Sequence, residues 1–383
     1  MRVLALALLC VACSTAPVVT QPTPTPTREP NTFAVSVLLD LSGPRAPNGT
    51  PQRNAMQLWL DQQQPVAGVR LRAKFVDVAS SDARVLLELR RAIVDDHADA
   101  VVIGVPVVVD DVFGQAIEVA AVPVLLTLPA SEPAATVGGR WTFVLAPTPA
   151  ALARATVNDI SARSALAPVL VASDQSAPAM TERAALVAEL ARQNLQPPSP
   201  VNVIRPEGVA RMRAEVSGAR SVVLTGPAAS YTAFIRGMPA TATSPLLYLS
   251  YLTETADLAN VRDQSAIVTW PGSRGLATLS SAPLPGARAA FVQSYTERSG
   301  APSTLAGTAY DALGVLQFAG ALAPSALDPA RLRLRLETLT FGGVVTMYRF
   351  TFTRHAGFSE DDLAYLRWNP QRNAPFVAPA PKE

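Results

Sequence analysis

Phe33-Ala34-Val35-Ser36-Val37-Leu38-Leu39-Asp40-Leu41-Ser42-Gly43-Pro44 opens the folded part of a 383-residue chain and decides its plan. The run from Phe33 to Leu39 is continuously apolar, of strand length and rich in β-branched residues, which is the pattern of a strand buried on both faces of a parallel sheet. Asp40 ends it and Ser42-Gly43-Pro44 breaks the chain. After a loop closing at Asn48-Gly49-Thr50-Pro51, Ala55, Met56 and Trp59 recur at helical spacing. This predicts a helix over 52–62 with Thr50 as N-cap and Pro51 at its first position. In an open α/β sheet, a loop between such a strand and helix lies at the carboxyl edge of the strands, where ligands bind and helix N–H groups are free.

The same unit repeats along the chain. Strands are expected over 69–78, 100–104 and 122–126, alternating with helices that begin at Ser81-Asp82 and over 111–120, and the fourth strand is followed by the loop Thr127-Leu128-Pro129-Ala130-Ser131. Four alternations argue a doubly wound parallel sheet. A short strand over 141–145 leads into Ala146-Pro147-Thr148-Pro149, a stiff break. The alternation then restarts, with helices over 150–163, 180–193, 209–216 and 228–237 and strands over 168–172, 200–204, 221–224, 246–249 and 266–269. Two similar halves imply two α/β lobes.

The N-terminus carries an address. After Met1-Arg2, residues 3–12 are apolar, too few to span a bilayer and the right number for a secretory h-region. Val11-Ala12-Cys13-Ser14 resembles a bacterial lipoprotein cleavage site, in which a small residue precedes the cysteine that is acylated; Cys10 stands where leucine is usual. Residues 1–12 are therefore expected to be a signal peptide and 13–32 a lipid-anchored tether. A plain secretory signal cut at a nearby small residue is the alternative. The Pro/Thr alternation over 22–27 favours extended polyproline II. Both cysteines lie in this segment, so the body is expected to be held by its core, which 49% hydrophobic residues can supply. A net charge of +2 with 16% charged residues gives no clustered basic face, which sets nucleic-acid binding aside.

A family resemblance rests on the order of several short motifs. These are Val37-Leu38-Leu39 before Leu41-Ser42-Gly43-Pro44, Ile103-Gly104, Val122-Pro123-Val124, Trp141-Thr142-Phe143, Gly226-Pro227, Gly300-Ala301-Pro302, Ala309-Tyr310-Asp311-Ala312, and the ending from Arg354-His355 to Leu366-Arg367-Trp368. In this order they resemble the type I periplasmic binding proteins, closest to the leucine/isoleucine/valine-binding family of ABC transporters. The resemblance implies two Rossmann-like lobes joined by three crossing segments, with a small-molecule ligand clamped between them and handed to a membrane permease. Lobe one would be 33–146 and 276–341, and lobe two 147–275 and 342–383, with crossings at Pro147-Thr148-Pro149, Pro271-Gly272-Ser273 and Gly342-Gly343.

In the family, hydroxyls and backbone N–H groups of lobe one hold an amino-acid carboxylate, and an acid of lobe two meets the ammonium, since a charge taken out of water must be paired. The residues in those places are Ser42, Thr127 and Ser131 in lobe one. In lobe two they are Tyr251, Glu254 and, as the second choice of ammonium partner, Asp174. Each hydroxyl could instead cap a helix or a turn, and each acid could be a solvated surface group. The loop 105–109 is Val-Pro-Val-Val-Val, where relatives carry small hydroxyl residues, so the expected ligand has an apolar portion: a branched-chain amino acid or a related carboxylate or amide. His97 and His355 are in no catalytic motif, and no metal, phosphate-loop or nucleophile signature is present, so no cofactor and no enzymatic activity are expected. Because fold does not fix function, a lipoprotein that binds another envelope protein is the alternative.

Overall fold

The computed structural model describes residues 32–108, 110–163, 169–195, 206–216, 218–241, 243–277, 286–321 and 328–378. The signal, Cys13, most of the tether, Val109 and the strand expected over 200–204 lie outside these residues.

The first lobe is built from β1 (Thr32–Leu39), α1 (Ala46–Gln62), β2 (Arg70–Asp77), α2 (Asp82–Val94), β3 (Ala100–Ile103), α3 (Asp111–Ala120), β4 (Val124–Leu126) and β5 (Thr142–Val144). Its five strands are all parallel in the order β2-β1-β3-β4-β5. The order reverses between β1 and β3, and the loops after those strands open a crevice at the carboxyl edge. Alternate residues of each strand feed the two faces. Val35, Val37, Leu39, Val102, Leu125 and Phe143 pack with Met56 and Trp59 of α1. Leu38, Val101, Ile103, Val124 and Leu126 pack with Val85, Leu89, Phe113 and Ile117 of α2 and α3.

The second lobe contains α4 (Pro149–Ala162), β6 (Val169–Ser173), α5 (Ala177–Arg192), α6 (Pro206–Val216), β7 (Ser221–Thr225), α7 (Thr232–Arg236), β8 (Leu246–Tyr248), α8 (Thr255–Ala259) and β9 (Val268–Ser273). Its sheet runs parallel from β6 to β9. The chain then returns to lobe one through α9 (Gly286–Ser299), α10 (Thr304–Ala321), α11 (Pro329–Glu337) and the hairpin of β10 (Thr340–Gly342) and β11 (Met347–Arg349). It finishes on lobe two as β12 (Leu363–Asn369) and β13 (Ala374–Val377), antiparallel additions beside β9.

Two expectations change. Helix α1 begins at Ala46 with Arg45 as N-cap, Pro47 within its first two positions and Pro51 inside it; Thr50 is not the cap. The reason is tertiary: a Cβ at Gly49 would sit 2.0 Å from the Asp40 carbonyl oxygen, so only glycine lets this early turn lie against the end of β1. The third crossing is not at Gly342-Gly343. Tyr348 and Phe350 belong to the first lobe's core, and Ala356 pairs with Val144. Buried Asp311 of α10 also accepts the Val344 and Val345 N–H groups at 2.7 and 2.9 Å and the Tyr348 hydroxyl at 3.1 Å. The chain leaves lobe one only after Phe358, through the turn Glu360–Asp362. Pro271-Gly272-Ser273 is the second half of β9, and the passage to lobe one follows it at Arg274–Leu276.

Candidate functional site

Between the lobes lies a cleft of about 450 Å3. Its lobe-one wall is the loop after β3 (Pro106, Val107, Val108), the loop after β4 from Leu128 to Pro133, and the first turns of α2 and α3. Lobe two contributes the start of α5 (Ala177, Pro178, Thr181, Glu182) and Leu252, and Pro149 lies at the first crossing. The lobes touch beside it, where Asn48 Nδ2 donates to the Leu252 carbonyl at 3.0 Å and Leu128, Ala146, Leu152, Tyr251, Leu252 and Leu305 form one small apolar cluster.

Local sequence explains the walls. Thr148 accepts the Ala151 N–H at 3.2 Å with Pro149 at the first position of α4, and Asp110 accepts the Phe113 N–H at 2.9 Å to start α3. Ser176 accepts the Ala179 N–H at the start of α5.

The residues expected at the ligand separate in the structure. Ser131 lines the cleft, exposed. Ser42 lies outside it, donating its hydroxyl to Asp77 Oδ2 at 2.6 Å. Thr127 is fully buried and gives its hydroxyl to Gln52 Oε1 at 2.6 Å, while Gln52 Nε2 donates to the Gly104 carbonyl at 2.8 Å. Asp174 holds the turn after β6, accepting the Ser176 N–H at 2.9 Å, the Ser176 hydroxyl at 2.6 Å and the Ser230 hydroxyl at 2.8 Å. Tyr251 borders a recess of about 40 Å3 that shares Glu182 with the cleft. Glu254 is 2% exposed, and burial pushes its carboxyl up to about 8 against a hydrogen bond with Ser303. His355 is buried beside β5, its Nδ1 2.8 Å from the Gly139 carbonyl oxygen and 2.9 Å from that of Thr142, two acceptors to which Nδ1 donates.

Glu182 is the cleft acid that the sequence reading missed. It is half-buried in the lobe-two wall, accepting the Gly226 N–H at 3.0 Å and the Ser250 hydroxyl. Desolvation pushes it up to about 7, with the two hydrogen bonds pulling down and neighbouring Asp174 adding to the rise. A signal for it existed. On α5, Ala179, Leu186 and Leu190 form the buried stripe, and Glu182 falls on that stripe at i+3 from Ala179 and i−4 from Leu186.

The periplasmic binding protein profile matches residues 32–373. The chain belongs to the periplasmic binding protein family. Solved structures with the type I two-lobe fold cover nearly all of it. An extracellular ligand-binding receptor from Rhodopseudomonas palustris HaA2 superposes with a TM-score of 0.77 at 15% identity, over 91% of this chain and 100% of that one. A branched-chain amino acid transporter substrate binding protein from Streptococcus pneumoniae, in complex with isoleucine, gives 0.72 at 15% over 91% and 99%. A leucine binding protein from Thermotoga maritima gives 0.72 at 14% over 91% and 98%. At these identities the likeness establishes the fold of this binding protein and leaves its solute to its own residues. No curated protein matches it in sequence. Among the described residues, no helix of the binding protein is long and apolar enough to cross a membrane.

Proposed function

We propose that this binding protein captures one small organic solute with a substantial apolar portion in the inter-lobe cleft and delivers it to an ABC-type membrane permease. The observation that carries the reading is the cleft itself: a volume in the range of small-molecule sites, walled by both lobes and lined mainly by apolar side chains. Ser131 and Glu182 supply polar contacts from opposite walls. Glu182, rather than Glu254 or Asp174, is the lobe-two acid available to a cationic or N–H group of the solute, because neither of the other two lines the cleft.

A ligand that binds only the folded state raises the unfolding midpoint as RT ln(1 + [L]/Kd). A thermal-shift panel of branched-chain amino acids, amides, amines, short carboxylates and aromatic acids therefore tests the reading. At least one class is expected to stabilise the chain at millimolar concentration or below. A flat panel would overturn solute capture in favour of a protein partner in the envelope.

The protein is exported and held at the membrane by an acylated Cys13, with the Pro/Thr segment as spacer. Replacing the acceptor, Cys13→Ala, is expected to move the chain from the membrane to the soluble fraction; unchanged membrane retention would contradict the anchor.

A further inference from the structure

The cleft's inventory of donors and acceptors is lopsided. Five prolines, Pro106, Pro129, Pro133, Pro149 and Pro178, line it, and none of them has a backbone N–H to offer. No Lys, Arg or His is among its described lining residues. Of the lining hydroxyls, Thr136 donates to the Pro133 carbonyl at 2.7 Å and Thr181 to the Ala177 carbonyl at 3.1 Å, which leaves Ser131. Against this stand four carboxylates, Asp82, Asp110, Glu132 and Glu182.

The helix ends do not restore the balance. Asp82 opens α2, while Asp110 and Asp111 open α3, so the positive ends of these two helices already face their own acids. Helices α4 and α5 carry no acid in their first turns, but a proline there removes one N–H from each, and the Thr148 and Ser176 hydroxyls take the Ala151 and Ala179 N–H groups. Arg45, which reaches the lining Asp82, is shared with Asp40, each at 2.7 Å, and its Nη2 is buried away from solvent. A carboxylate ligand entering this cleft would meet four carboxylates and no cation, with one uncommitted hydroxyl, Ser131, and the N–H groups of the non-proline loop residues to replace its water, whereas an ammonium would meet acceptors.

From this arrangement, which rests on the reading of the cleft as the solute site, we infer that the solute is an organic amine, a monocation with an apolar body and without a carboxylate, whose ammonium is held by Glu182. The hydrocarbon portion lies against Val107, Leu128 and Phe113. Glu182 keeps its Gly226 and Ser250 hydrogen bonds as an ionised acceptor and has lone pairs left for the ammonium.

The test uses four compounds with one hydrocarbon body on the full chain: 4-phenylbutylamine, 4-phenylbutyramide, 4-phenylbutyrate and 2-amino-4-phenylbutyrate as the zwitterion. By calorimetry the amine is expected to bind at least about tenfold more tightly than the amide, the scale of one charge-assisted hydrogen bond, and the butyrate and the zwitterion more weakly than either. In Glu182→Gln the amine should lose about tenfold or more while the amide changes by less than about threefold, which also reports that the cleft remains folded. Binding of the butyrate or the zwitterion as tightly as the amine would overturn the cation assignment and leave solute capture standing. Binding of none of the four would overturn the assignment too, and only together with a flat thermal-shift panel would solute capture fall with it. Equal losses for amine and amide in Glu182→Gln would remove Glu182 from the ammonium site.

Discussion

Three carboxyls in this molecule, buried Asp311 and Glu254 and half-buried Glu182, sit far above their ordinary range for one shared reason, desolvation. Glu182 and Asp311 are pushed up to about 7 and Glu254 up to about 8, in each case against hydrogen bonds that favour the ionised form. A carboxyl that keeps its proton to about 7 in the fold, but ionises near 4 in the unfolded chain, gives the folded state the larger proton count across that interval. Stability therefore falls as pH rises from about 4 to about 8. Glu189, held down to about 2 chiefly by Arg192, acts oppositely but only below that window. The urea midpoint without added solute is expected to be higher at pH 5 than at pH 8, and a midpoint that climbs over this range would contradict the desolvation of these three carboxyls. At this scale the sequence was partly legible. Ser131 and the valine loop could be placed at the cleft from their position after strands. Glu182 could not, because an acid in the second turn of a helix reads as a surface residue until the stripe formed by Ala179, Leu186 and Leu190 is laid beside it. Thr127 and Ser42 misdirected the reading because their hydroxyls are consumed by Gln52 and Asp77, partners 75 and 35 residues away in sequence.

Periodicity located most elements because buried parallel strands are short unbroken apolar runs; α3 was expected over 111–120 and is found at Asp111–Ala120. The miss at the start of α1 has the opposite cause: Ala46-Pro47-Asn48-Gly49 carries loop composition, and it is helical because Gly49 fits against the Asp40 carbonyl. A second glycine ties an element to the site. Gly226, just after β7, has φ of 98°, and its N–H holds Glu182, while a Cβ there would meet Asp174 Oδ1 at 2.8 Å and the Ala179 Cβ at 2.9 Å. Gly226→Ala must strain the turn and displace the start of α5. The expected cost is about 1–3 kcal/mol of stability, the scale of such backbone strain. Weaker solute binding should accompany it. An unfolding midpoint and a Kd both equal to the parent's would show that the turn does not set the position of Glu182.

At the scale of the whole molecule, two α/β lobes are joined by three passages of the chain, after Ala146, after Ser273 and after Phe358. The two-lobe plan was legible in the restart of the alternation near residue 150. The third passage was not, because Gly342-Gly343 has the composition of a hinge, whereas the contacts of Tyr348 and Phe350 with the first core are invisible to local pattern. Glu132 bears on this passage directly: it lines the cleft while its carboxylate accepts the His355 and Ala356 N–H groups at 2.7 and 2.8 Å, so a cleft residue holds the chain just before it crosses. Passages of a few residues permit closure of one lobe on the other, and a solute that touches both walls stabilises the closed form by its contacts there. Small-angle X-ray scattering of the full chain, with and without a saturating compound from the stabilising class, measures this directly. The account predicts a smaller radius of gyration at one solute per chain; an unchanged radius, with binding shown independently, would contradict a solute clamped between the lobes.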